Sequence, residues 1–152
     1  MTRWFEDIVI DEVFQLGSHT FSADEIIRFA TLYDPQYFHL DAAAAQHSHF
    51  GGLVASGWQT GGLSLRMLVD SFLNTVASAG GLGFTDLKWK NPVMVGDTIG
   101  GTVTIADLRR SGGHPQWGIM TLDFDVRNQK DQPVLTMRLA NLIDTRQPEA
   151  SA

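Results

Sequence analysis

The spacing of apolar residues divides the chain into two halves. In the second half they alternate with polar ones: Met120, Leu122, Phe124 and Val126 interleave with Thr121, Asp123, Asp125 and Arg127, and Ile99, Val103 and Ile105 alternate in the same way with threonines. A period of two puts one set of side chains on one face of a strand. Strands are expected over 82–90, 98–108, 117–128 and 134–144, joined by Asn91-Pro92, Ser111-Gly112-Gly113 and the turn-rich stretch from Asn128 to Pro133. Consecutive strands with short connections make an antiparallel sheet.

The first half has a helical period. After a short strand within 13–21, Ser22 opens a Ser-x-x-Glu capping box with Glu25, and Ile26, Ile27, Phe29 and Ala30 follow at helical spacing. Pro35 disfavours helical geometry at Asp34, so this helix is expected to end near Tyr33. An irregular stretch over 34–40 leads to a second short helix begun by Asp41, Gly51-Gly52 breaks the chain again, and a long helix is expected over about 57–79. The apolar face of the sheet needs a cover, and the long helix is the one element large enough. The expectation is an α+β fold with an antiparallel sheet wrapped around a long central helix, one domain over 1–152, with a frayed tail after Thr145.

Composition narrows the function. With 43% hydrophobic and 18% charged residues in 152, the chain has the makeup of one compact domain. The absence of cysteine excludes disulfides, thiolate metal sites and a cysteine nucleophile, and fits a reducing compartment. A net charge of -6 with scattered Lys and Arg gives no footprint for nucleic acid. Residues 1–14 carry Glu6, Asp7, Asp11 and Glu12 and do not read as a signal peptide, while Arg66, Asp70 and Asn74 make 58–79 too polar to span a bilayer. A cytoplasmic protein without membrane or nucleic-acid partners is expected. His47-x-His49 lacks a third ligand nearby, so no metal is expected.

Two stretches carry candidate chemistry. In Tyr33-Asp34-Pro35-Gln36-Tyr37-Phe38-His39, an Asp and a His stand five residues apart on a segment that Pro35 holds out of a helix. A loop can turn both to one point, giving two titratable groups that can serve as acid and base. A turn-capping Asp and a structural His fit the same spacing. In Ala55-Ser56-Gly57-Trp58, Ser56 is a good cap for the long helix, and the N–H groups of Gly57 and Trp58 lie at its positive end, where they suit a developing oxyanion. Glycine at 57 lets a carbonyl approach the backbone closely. A tightly packed glycine-rich helix entry also fits.

Together the two stretches resemble the MaoC-like dehydratases, which include the (R)-specific enoyl-CoA hydratases. That family carries a Gly-Asp-x-Asn-Pro-aliphatic-His motif and, after a short helix, a His-Gly pair at the start of the long helix. Asp34, His39 and Gly57 match the family's aspartate, histidine and oxyanion glycine, and Asn91-Pro92-Val93 with Gly96-Asp97-Thr98 looks like its hairpin. The order of elements follows the family over about 14–144. Departures are Tyr33 for the motif glycine, Gln36 for the asparagine, Tyr37 for the proline, Phe38 for the aliphatic residue, Ser56 for the histidine before Gly57, and Gly62 where enoyl-CoA hydratases often carry serine.

The resemblance implies a hot-dog fold and hydration of a trans-2-enoyl thioester, or the reverse dehydration of a 3-hydroxyacyl thioester. Asp34 and His39 would hold the water, either of them as base, and Gly57 would hold the thioester carbonyl. Gln36, Phe38, Ser56, Trp58 and Lys90 are the expected substrate contacts, Lys90 toward coenzyme A phosphates. No cofactor is expected; coenzyme A or an acyl carrier enters as part of the substrate. Phe38, Tyr37 and Trp58 are expected to narrow the pocket, and the strand at 82–90, with Phe84, Leu87 and Trp89, to join two copies edge to edge. A hot-dog thioesterase and a non-catalytic acyl-thioester binder are the alternatives.

Overall fold

A computed structural model describes residues 1–146. In chain order the elements are β1 (Val13–Gln15), β2 (His19–Thr20), α1 (Ala23–Tyr33), α2 (Tyr37–Leu40), α3 (Ala42–Ala45), α4 (Gly57–Ser71), β3 (Ser78–Trp89), β4 (Thr98–Arg110), β5 (Trp117–Asn128) and β6 (Pro133–Asp144). The strands form one antiparallel sheet in the order β1-β4-β5-β6-β3, with β2 beside β4. Alternation dictates which face is covered: Ile99, Val103 and Ile105 of β4, Met120, Leu122, Phe124 and Val126 of β5, and Leu135 and Ile143 of β6 enter one core with Met67 and Leu68 of α4 and Ile26 of α1. This is the hot-dog arrangement, with α4 held in the curve of the sheet. No helix among the described residues is long and apolar enough to cross a membrane.

Several boundaries differ from the sequence expectation, each for a physical reason. The long helix stops at Ser71, because Phe72 leaves helical geometry (φ -141°) and buries its ring against Phe14 at 4.0 Å between centroids. The chain after it then pairs with the N-terminus, where Arg3 N–H donates to Thr75 O and Ala77 N–H to Arg3 O, so β3 begins at Ser78, inside the stretch that helical spacing had claimed. The expected strand over 13–21 is two short pieces, both paired to β4. Residues 37–40 are not irregular but one helical turn, since Pro35 blocks helix only before it and Gln36 restarts the pattern as N-cap. Of the tail expected to fray, Arg146 instead pairs with Asp7, and the residues from 147 onward lie outside the described chain.

The capping box at Ser22 is half formed. Ser22 Oγ accepts from Glu25 N–H, but the Glu25 carboxylate accepts from the Ser22 hydroxyl and pairs with His19 rather than returning to the Ser22 backbone. Asp41 caps α3 as expected, accepting from Ala43 and Ala44 N–H at 2.9 and 3.0 Å.

Candidate active site

Asp34 ends α1 by leaving helical geometry (φ -150°, ψ 70°), as the residue before Pro35 must, and the following turn α2 brings His39 back to it. His39 is buried, 5% exposed, with Nε2 3.2 Å from Asp34 Oδ2. Its other ring nitrogen, Nδ1, lies 2.6 Å from the Val54 carbonyl. A carbonyl only accepts, so Nδ1 carries a proton and Nε2 is the nitrogen left for Asp34 or a ligand. Val54 is itself held in place: its N–H donates to Phe38 O, and Ala55 N–H donates to Val93 O. The dyad is thus pinned by backbone from two sides.

Asp34 has donors on both oxygens. The Ser56 hydroxyl donates to Oδ2 at 2.7 Å and the Gln36 amide to Oδ1 at 2.8 Å. Burial pushes the Asp34 carboxyl up, but the Ser56 hydroxyl, the Gln36 amide and the His39 ring outweigh it and hold its pKa below the ordinary value. The fully buried Ser56 hydroxyl also accepts from Trp58 N–H at 3.3 Å. One hydroxyl therefore caps α4 and orients the dyad. Of the two N–H groups expected for an oxyanion, that of Trp58 is taken by the cap; Gly57 N–H remains at the first helical position, where α4 offers it no acceptor.

Glycine at 57 also makes room for a neighbouring ring. A Cβ there would run into the Trp89 ring, whose Nε1 donates to Gly57 O at 2.9 Å. Trp89, the last residue of β3, is 46% exposed and meets Trp58 edge to face, with centroids 5.4 Å apart. The indole of β3 thus clamps the first turn of α4.

A cavity of about 450 Å³ opens at this point. The structure brings Asp34, His39, Gly57, Gln36, Phe38, Ser56, Trp58 and Lys90 together along its wall, with Phe50, Val54, Trp89 and Asn91 added. Tyr37 is not part of the wall; it stands 53% exposed, so the aromatic narrowing falls to Phe38, Trp58, Phe50 and Trp89. Trp89 and the Val54 carbonyl are the residues that sequence reasoning missed. Trp89 sits just before the Asn91-Pro92 turn, a weak signal, and the Val54 carbonyl leaves none.

Comparisons with known proteins bear on the family and the fold. The MaoC like domain family matches residues 7–121. The chain is 30% identical over 138 residues to the uncharacterized protein YdeM of Bacillus subtilis, a match that spans 91% of this chain and 96% of that one. It is similar in structure to the MaoC-like dehydratase from Rhodospirillum rubrum, with a TM-score of 0.85, 35% identity, and coverage of 95% of this chain and 99% of that one. The (R)-hydratase from A. caviae involved in PHA biosynthesis matches with a TM-score of 0.73 and 27% identity, over 93% of this chain and 99% of that one. With the family matched over most of its length, and with a relative of this identity spanning nearly all of it, the chain belongs to the MaoC-like domain family.

Proposed function

We propose that the protein hydrates a trans-2-enoyl thioester, or dehydrates the corresponding 3-hydroxyacyl thioester, with Asp34 and His39 sharing one water. The observation that carries this reading is the 3.2 Å contact between His39 Nε2 and Asp34 Oδ2 on the wall of a cavity that also holds the N-terminus of α4. With Nδ1 committed to Val54, a bare Nε2 would set a lone pair against the carboxylate, so the pair favours one proton between them. Asp34, held as a carboxylate by three donors, is then the base. It takes a proton from water as the oxygen adds to C3, and His39 Nε2–H delivers a proton to C2. The proton gained by Asp34 passes to Nε2 across their contact, and the dyad is restored. Gly57 N–H faces the enolate oxygen that develops meanwhile; such a donor is typically worth about 3 kcal/mol of barrier.

The test follows the enoyl-thioester absorbance of crotonyl-CoA beside a free-thiol assay. Loss of the enoyl band without thiol release is expected. Thiol release instead makes the protein a thioesterase, and neither signal over a panel of enoyl-CoAs makes it a binder. Lys90 on the cavity wall is the cation placed to meet coenzyme A or carrier phosphate.

The same reading includes a homodimer through β3. Among the described residues this edge strand pairs with β6 alone and leaves Leu82, Phe84 and Trp89 about half exposed, a costly surface to leave in water. Sedimentation at micromolar concentration is expected to give twice 16.7 kDa or a higher even multiple; an active species at 16.7 kDa overturns the dimer.

A further inference from the structure

A second cavity, of about 440 Å³, adjoins the first along the same two helices: Tyr33 and Gln59 line it where Asp34, Trp58 and Thr60 line its neighbour. Phe29, Leu32 and Leu63 make it largely apolar, and the space over Gly62 is open. Gln59 is the exception. It is 6% exposed, yet its Oε1 has no hydrogen-bond partner among the described residues. A buried amide without a partner carries its full desolvation penalty, so a group of this kind on a cavity wall points to a ligand. Rotation of the amide exchanges oxygen for N–H₂, so Gln59 can offer a donor. Arg28 lies on the same wall, and among the described residues it forms no ion pair. The one carboxylate on the wall, Glu25, is already engaged by His19 and Ser22.

We propose that the cavity between α1 and α4 receives the acyl end of the thioester, and that Gln59 with Arg28 selects acyl groups ending in a carboxylate. The inference rests on the thioester reading of the adjoining dyad. An alkyl terminus leaves the buried amide without a partner, whereas a carboxylate accepts from it and meets the exposed Arg28 guanidinium as well. Sites built around a hydrogen bond discriminate strongly against ligands that lack it.

The experiment measures binding rather than turnover. Glutaryl-CoA and valeryl-CoA have five-carbon acyl chains and no double bond to hydrate, and differ in the terminal group. Calorimetry with the whole protein is expected to show glutaryl-CoA binding tighter by about tenfold or more. The ratio is expected to fall toward one in Gln59→Leu and to fall part of the way in Arg28→Gln. Gln59→Glu, which keeps the shape and sets like charges together, is expected to favour valeryl-CoA. Equal or tighter binding of valeryl-CoA by the wild type, or a ratio unmoved by all three substitutions, overturns the proposal. Hydration of crotonyl-CoA and of glutaconyl-CoA, whose chain ends in a carboxylate, is read separately, so a binding preference without turnover of either sinks the hydratase reading alone, and turnover without the preference sinks only this one.

Discussion

On one side of the first turn of α4, the polar groups of the dyad are partnered: Asp34 accepts from Ser56 and Gln36, and His39 spends one nitrogen on Val54 and turns the other to Asp34. On the other side Gln59 is buried as deeply as His39, and its oxygen accepts nothing among the described residues. The first arrangement is held in register before any substrate arrives, which is what proton transfer over a fixed distance demands. The second remains incomplete, which is what selection among ligands demands. A single helical turn thus separates a side whose geometry is settled by the protein from a side whose geometry is settled by what binds.

Breaking the partnered side has the largest expected effect. Asp34→Asn or His39→Ala should each lower kcat by about 10³-fold on the best enoyl thioester while circular dichroism stays native. On the proposed mechanism the two act on one water, so the double variant should be little worse than either single one. Near wild-type turnover in either single variant removes the dyad from the mechanism.

The next effect enters through packing. Gly57→Ala forces the Trp89 ring off the first turn of α4 and disturbs its bond to Gly57 O. A displacement of this kind near the reacting atoms costs up to about 10²-fold in kcat, and overpacking costs about 1–3 kcal/mol of stability. Unchanged kinetics and Tm would show that Trp89 moves aside freely.

Ser56→Ala sharpens the comparison through pH. The depressed pKa of Asp34 means that its stabilising contacts are fully present above the unfolded value, about 3.9, and are lost as pH falls through the lower folded value. Removing the Ser56 donor should raise that folded value, so the acid limb of kcat/KM moves to higher pH. The lost helix cap adds about 1 kcal/mol of destabilisation. An acid limb in the same place, with only Tm reduced, would confine Ser56 to capping.

The smallest effect has the opposite sign. Gln59→Leu replaces an unpartnered buried amide by an apolar group of similar shape, and should stabilise by up to about 1 kcal/mol. A lower Tm would mean that the amide is satisfied in the free protein.

What was legible in the sequence was whatever short-range pattern encodes. The alternation around Phe124 exposed the sheet, Ser56-Gly57 ahead of a helical run exposed the helix start, and Asp34 and His39 about Pro35 pointed to a dyad only through the family resemblance, since their spacing alone fits a turn cap and a structural His equally. The end of α4 was not legible, because helical spacing continues past Ser71 and only the burial of Phe72 against Phe14 ends it. Pattern places Trp89 on an edge strand; its role over Gly57 depends on how β3 lies against α4, which no window of sequence contains. Gln59 falls between Trp58 and Thr60 in an ordinary helical turn, and its lack of a partner emerges only once everything around it is packed.

The Val54 carbonyl that fixes the His39 ring reaches across 15 residues, the Ser56 hydroxyl reaches Asp34 across 22, and the Trp89 indole reaches Gly57 across 32. None of these contacts belongs to a local element, so each must await a loop closure that α1 and α4 do not need in order to become helical. In refolding from denaturant, helical signal should therefore return ahead of activity, and the interval between them reports how long the chain takes to bring its distant segments to one point.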